Sequence, residues 1–268
     1  MPSHLAELAD APEVLYCRGV LPTRPGVAIV GTRRATPYGR AISRSFGRAV
    51  ATAGWPVVSG LARGVDGLAH EGTLEVGGIG VAVLGSGIDV WYPAEHRRLG
   101  EGLISGGGAV VSEFGPGTPP EPWRFPCRNR IISGLSKVVV VIEAARTGGA
   151  LITARLALDQ GRDVMAVPGD IGRPASEGCN LLIRDGAIPV LGAEDLIEAL
   201  TLLLGAPPSS PAKPHTGSDL MALIPAGGIP LEDLVLAHGT PTPFVLAELA
   251  RLEAGGFIHI DGGNVAAL

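Results

Sequence analysis

Arginine gathers where the chain should turn. In "VAIVGTRRATPYGR" an apolar run reaches Gly31 and is followed at once by Arg33 and Arg34, with Arg40 close behind. Guanidinium groups this close repel one another unless an anion sits among them, and arginine's planar fork suits phosphate oxygens. A second stretch, "WRFPCRNRIISGLSK", sets Arg128, Asn129 and Arg130 before an apolar run and Lys137 after it. Three more segments, "SGLARGVDGLAH", "GSGIDVWYP" and "EAARTGGALIT", combine glycine with small hydroxyls or arginine. Glycine lets backbone N–H groups approach a ligand. Each segment leads toward a helix start, where unpaired N–H groups and the dipole favour anions. Four such loops converging point to a phosphate-bearing ligand.

Other chemistries fit less well. A G-x-x-x-x-G-K-[ST] loop is absent, "GTRRAT" lacks the spaced glycines of a dinucleotide fingerprint, and "GSGIDV" has Val90 in the third place. The second strand ends in Ser59, where a ribose-binding carboxylate would stand. No G-x-S-x-G elbow or H-E-x-x-H pair occurs. His70 and His96 read as surface or hydrogen-bonded residues. Asp66 and Glu143 could act as acid and base; equally, Asp66 orients its glycine-rich loop and Glu143 ends a strand. Trp91, Tyr92, Trp123 and Phe125 could stack on bases, although a chain with 4% aromatics needs such residues in its core. On a helix, Arg124 and Arg128 would share one face. The alternative there is a charged helix start packed beneath its apolar half.

These loops need a frame. "VAIVG", "PVVSG", "GVAVLG", "GAVVSE", "VVVVIE" and "DVMAVPG" are β-branched and unalternated, as strands buried on both faces should be. Between them, "YGRAISRSFGRAVATAG" and "GGALITARLALDQG" carry helical period, and Thr36 followed by Pro37 is a helix start signal. The alternation predicts an α/β fold, a doubly wound Rossmann-like parallel sheet over residues 27–204 behind an N-terminal extension, 1–26. "GAPPSSPAKPHTG", 205–217, reads as a linker. Residues 218–268 predict three helices and a hairpin around "DGG", a small C-terminal winged-helix domain whose third helix offers Arg251 against Glu248 and Glu253.

Net charge is −5, yet no acidic residue occurs from Val14 to Val65, where eight arginines lie. Residues 218–268 hold one arginine and six acids, so that segment carries the whole negative excess. Local field, not net charge, steers an anionic ligand. No apolar run reaches the ~18 residues of a membrane span, and the N-terminus lacks a signal-peptide pattern, so a cytoplasmic protein is expected. Cys17, Cys127 and Cys179 have neither metal-ligand nor disulfide spacing and read as free thiols.

Taken together, "VAIVGTRRATPYG", "VVSGLARGVDGLAH", "GVAVLGSGIDVWYPAEH", "VVSEFGPG", "FPCRNRIISGLSKVVVVIEAARTGGALITARLALDQGRDVMAVPGDI" and "GCNLLIRDGA" resemble the bacterial DNA-processing protein A family, DprA or Smf. The resemblance covers residues 27 to about 200. It implies a Rossmann-like domain binding single-stranded DNA, a homodimer, and help in loading RecA recombinase onto incoming strands during natural transformation. It implies no cofactor and neither nuclease nor nucleotide-hydrolysing activity. Arg33 carries over as the basic-pocket residue. Gly31, Ser59, Gly60, Gly85, Gly87, Arg128, Asn129, Arg130 and Lys137 occupy matching motif positions, and the neighbouring Arg34 and Arg63 join them. Many members place a lysine after "WYP"; here "AEHRR" passes that position to Arg97 or Arg98. Two other readings stand beside this one. One is a nucleotide-processing hydrolase of the lysine-decarboxylase-like group, echoed in "ARTGGALITA". The other is a pure protein adaptor that binds no DNA and meets RecA or another recombination or competence partner through the acidic tail.

Overall fold

The six apolar runs lack polar alternation because both faces of each are covered. The computed structural model describes residues 1–206 throughout; beyond them it describes 220, 223–225, 228–238, 245, 246, 249, 250, 252, 253, 257–261 and 263–267. An edge strand β1 (Tyr16–Gly19) lies antiparallel to β5 (Ala109–Ser112). The strands β2 (Gly26–Val30), β3 (Val57–Ser59), β4 (Gly80–Val83), β5, β6 (Ser136–Val141) and β7 (Asp163–Ala166) are parallel, with a short β8 (Ile188–Pro189) beyond β7. The order is β1-β5-β4-β3-β2-β6-β7-β8. It reverses between β2 and β6, and a crevice opens at such a reversal beyond the carboxyl ends of the strands.

Successive residues of each strand face opposite helical layers. Val27 and Ile29 pack with α2 (Pro37–Thr52), α3 (Val65–Glu75) and α8 (Ala193–Leu204) through Phe46, Ala69 and Leu196. Ala28 and Val30 pack with α5 (Arg124–Gly134), α6 (Gly149–Asp159) and α7 (Pro174–Arg184) through Ile131, Ala154 and Cys179. Leu103 of α4 (Arg97–Ser105) covers Ala82 and Val110. The first 26 residues, set apart as an extension by sequence, contribute to this sheet unit. They supply β1, the start of β2, and α1 (Ser3–Ala6), whose Leu5 is fully buried in the core. Strands β1 and β8 escaped the sequence reading because one is exposed throughout and the other is two residues long.

Thr36 caps α2 as expected. Its hydroxyl oxygen accepts the Gly39 N–H at 3.2 Å, and Pro37 opens the helix. The same hydroxyl donates to the Glu143 carboxylate at 2.5 Å, whose other oxygen accepts the Thr36 N–H at 2.9 Å. Glu143 therefore ends β6 by fastening the start of α2. Thr36→Ala should lower the stability of this unit by about 1–2 kcal/mol, read as a shift in the urea midpoint at unchanged slope.

The chain forms two compact units, Met1–Ser210 and Pro211–Leu268. In the second, β10 (Ile258–Asp261) and β11 (Asn264–Ala267) form the hairpin expected around "DGG", and β9 (Ile229–Pro230) pairs with β11. A helix Leu231–His238 and the apolar residues Leu220, Val245 and Leu249 cover the sheet. The expected linker lies outside the described residues from 207 onward, as does part of the helix that "TPFVLAELARLEAGG", 242–256, predicts. No helix among the described residues is long and apolar enough to cross a membrane.

Candidate functional site

The crevice at the strand reversal is a real cavity of about 620 Å³. The turn after β2 forms one wall with Gly31, Thr32 and Arg33; the turn after β6 forms the opposite wall with Ala144, Ala145, Gly148 and Gly149. Phe125, Pro126 and Asn129 of α5 close one side, and Pro120, Pro122 and Tyr92 extend the rim. Arg33 is exposed and lies over the Phe125 ring, its guanidinium carbon 4.7 Å from the centroid. Tyr92 packs against the same ring at 5.2 Å. Phe125 is thus an aromatic platform held between a cation and a phenol, and it is only half-buried. A core role was the simpler sequence reading for it.

The acid-free window does not produce one arginine cluster. Arg44 pairs with Glu71 and Glu75, Arg48 approaches Glu75, and Arg24 donates to the Gly54 carbonyl at 2.7 Å. Arg18 lies over Trp91. Their partners come from across a helix pair or a loop, which a linear charge window does not register. Apart from Arg18 and Arg24, the described arginines that are exposed with no carboxylate within 4.0 Å are Arg33, Arg34, Arg40, Arg98, Arg146 and Arg155. Arg33, Arg34 and Arg146 belong to the two loops flanking the crevice, and Arg40 follows in α2. Arg63 joins Arg33 around a small recess beside Phe125, paired with Glu95 at 2.5 Å. Both partners are exposed, so solvent screens the pair and Arg63 stays available to a stronger anion.

Several expected contacts lie elsewhere. Ser59 is fully buried, with its hydroxyl donating to the Ile29 carbonyl at 2.6 Å. Arg130 forks onto Glu113 with two bonds of 2.8 Å and reaches Asp10. Arg97 pairs with Glu101 at 2.8 Å, leaving Arg98 as the unpaired arginine after "WYP" among the described residues. Lys137 is exposed, but it stands at the amino end of β6, whose register sets Ser136 beside Gly26. That is roughly 20 Å along the strand from the rim. The glycines also have packing causes. A Cβ on Gly31 would strike Val65, one on Gly60 the Arg128 guanidinium, one on Gly85 the Phe125 ring at 2.8 Å, and one on Gly87 the Gly115 carbonyl. Of the glycines that line the cavity, Gly149 is the open one: a Cβ there meets no atom within 4 Å. The sequence reading marked its loop without singling it out.

Arg128 is the largest correction. It is 3% exposed and works as a tie between strands. Its Nη1 donates to the Gly60 carbonyl at 2.7 Å and to the Val83 carbonyl. The buried Asp66 accepts the Gly60 N–H at 3.1 Å. Burial raises the Asp66 carboxyl above its ordinary value, against the pull of Arg128 and of backbone N–H groups. Burial likewise pulls Arg128 down to about 10, against the attraction of Asp66. The reading of a charged helix start packed beneath its apolar half describes Arg128 correctly. Leu61, between β3 and α3, adopts the left-handed region with φ 56, where a branched side chain is strained. The His96 ring holds its carbonyl at 2.9 Å. His70 departs from expectation. It is fully buried, the Ser59 backbone lies alongside without closing a hydrogen bond, and burial lowers its pKa to about 3, so it stays neutral.

The two carboxylates considered as acid and base are both committed. Glu143 is bonded by Thr36 and is absent from the cavity wall, and Asp66 sits at its base beside Arg128. Among the described residues no three His, Cys, Asp or Glu side chains converge as metal ligands. Cys17, Cys127 and Cys179 are free thiols, the last one buried. What remains is a phosphate-sized rim with an aromatic platform and backbone amides around a partly apolar hollow.

The family model for DNA recombination-mediator protein A matches residues 1–201. Protein Smf of Escherichia coli is 42% identical over 98% of this chain and 74% of its own length. The crystal structure of DNA processing protein A from Streptococcus pneumoniae aligns with a TM-score of 0.68 at 40% identity, over 74% of this chain and 70% of that one. A structure of DNA processing protein A from Helicobacter pylori, described for its single-stranded DNA binding mode, aligns at 0.69 and 31% identity, over 75% and 93%.

Proposed function

Since the chain belongs to the DNA recombination-mediator protein A family, we propose that it binds single-stranded DNA along the carboxyl rim of its parallel sheet. In this reading it protects incoming strands and assists RecA loading in natural transformation, acting as a homodimer. One observation carries the binding proposal: Arg33, exposed and without a carboxylate partner among the described residues, lies over Phe125 at the mouth of the cavity. That pairing offers a phosphate contact and an aromatic ring edge within one nucleotide's reach. Arg34, Arg63, Arg98 and Arg146 extend the positive rim, and Asn129 lines the cavity. Phosphate contacts bring affinity without sequence preference, and stacking tolerates every base. The acidic C-terminal unit, read as a winged helix, is assigned to protein partners, because its charge opposes a strand.

The reading contains no hydrolytic step. Glu143, the candidate base, is held by Thr36 and has no free edge toward the cavity. The test is a titration with single- and double-stranded oligonucleotides across salt concentrations. About four phosphate contacts give a log–log slope of about −3 for single strands. A salt-independent affinity, or release of base from a nucleoside monophosphate that disappears in Glu143→Gln, would sink it.

A further inference from the structure

The free arginines of the rim do not stop at the cavity. Arg33 stands at its mouth, whereas Arg34 and Arg40 lie past it, before α2 and in its first turn, and Arg146 belongs to the turn after β6. None of these last three lines the cavity. Between Arg34 and Arg40 in the chain stands an exposed aromatic residue, Tyr38. Building on the strand-binding reading, we propose that a bound strand runs on from Arg33 over the start of α2 to a second station outside the cavity. There a base stacks on Tyr38, and Arg34, Arg40 and Arg146 hold the flanking phosphates.

Three observations carry this. The first is that Tyr38 is both presented and held. It is 43% exposed, yet its hydroxyl donates to the Pro168 carbonyl at 3.4 Å, in the turn after β7. That turn is itself fastened. The Gly169 N–H donates to Asn180 Oδ1 at 3.2 Å, and Asn180 Nδ2 donates back to the Gly169 carbonyl at 2.9 Å. Burial raises the phenol above its ordinary value, with Glu143 and Asp170 adding to it, so the hydroxyl keeps the proton it donates. A ring pinned between two elements loses little rotamer freedom when a base covers it. The second observation is charge. Among the described residues Arg34, Arg40 and Arg146 have no carboxylate within 4.0 Å. The two acids that act on Tyr38 are committed, Glu143 to Thr36 and Asp170 to Arg173 at 3.4 Å.

The third observation is the contrast with the other aromatic flank of the cavity. Trp123 is more exposed than Tyr38. Its indole N–H donates to Glu121 at 2.5 Å, however, and Arg124 pairs with the same carboxylate at 3.6 Å. Arg130 forks onto Glu113. Glu121 and Glu113 take up the cations on that flank and leave none for a phosphate. A strand leaving over α2 meets cations without carboxylates instead. Single-strand sites combine a cationic track with rings on which successive bases stack, and that combination is present on the Tyr38 side.

The experiment measures the affinity of the full chain for labelled poly-thymidine oligomers of increasing length. Tyr38→Ala should weaken binding of long oligomers roughly five- to a hundredfold, the range for removing one stacking side chain. The loss should grow with length and be smallest for the shortest oligomer that binds. Tyr38→Phe keeps the ring without the bond to Pro168 and should retain most of the affinity, which separates stacking from a structural hydrogen bond. Arg40→Ala should make the salt slope for long oligomers shallower by about 0.7. A loss from Tyr38→Ala that is the same at every length, or that Tyr38→Phe reproduces in full, would overturn the inference and leave the strand reading intact. So would Tyr38→Ala binding every oligomer as wild type does. A wild-type chain that binds no oligomer at low salt would sink the strand reading itself, and the second station with it.

Discussion

Arg33→Ala should weaken binding of single-stranded DNA by roughly ten- to a hundredfold, equally for every sequence. A hydrogen bond to a charged group contributes ~1.5–3 kcal/mol, and 1.4 kcal/mol is tenfold. The salt slope should become shallower by about 0.7, the share of one phosphate on a single strand. Among the described residues Arg33 has no carboxylate within 4.0 Å, so a phosphate arriving there has no ion pair to displace. Its removal also uncovers Phe125, which loses a cation at 4.7 Å. Arg33→Lys separates the two effects. The charge remains and the slope should recover, while the lost planar fork leaves affinity below wild type. Lys137→Ala is the control. It removes the same charge from the amino end of β6 and should leave affinity and slope unchanged. Equal losses from Arg33→Ala and Lys137→Ala would mean that overall charge, not the rim, governs binding.

The fold was legible because burial on both faces leaves a mark in one dimension. Val27 and Ile29 meet one helical layer, Ala28 and Val30 the other, so no polar residue interrupts the run. Thr36 and Pro37 marked the start of α2 for an equally local reason. The site was legible only in part, since its logic is tertiary. Arg128 and Lys137 look like one basic motif in sequence. Yet α5 runs 11 residues away from the rim before β6 begins, a descent of roughly 16 Å. Arg128 is drawn inward by carbonyls of Gly60 and Val83, neither of them near it in sequence. The glycines marked the correct loops but for a different cause, close packing by Val65, Arg128 and Phe125. Phe125 is a stacking candidate in sequence, but nothing local separates it from a core residue, because a half-exposed ring under an arginine has the same letter as a core ring.

Arg128→Met should destabilise the sheet unit by about 3–5 kcal/mol, the range for removing one member of a buried charged pair. Two carbonyls, those of Gly60 and Val83, lose their donor in the interior, and Asp66 loses its cation. Asp66→Asn should cost less, and the double variant should cost less than the sum of the two, because each single change strands the other group. The pH dependence gives the sign. Asp66 has a folded pKa above its ordinary 3.8, so between those two values the folded state holds the extra proton and stability falls as pH rises. In Arg128→Met the opposing charge is gone, which lifts the folded value further. The variant should therefore keep losing stability above the pH at which wild type has levelled off, and its deficit should be smallest in acid. Denaturant midpoints measured across that range decide the matter. A deficit that stays constant with pH would assign Arg128 to the carbonyls alone and remove Asp66 from the account.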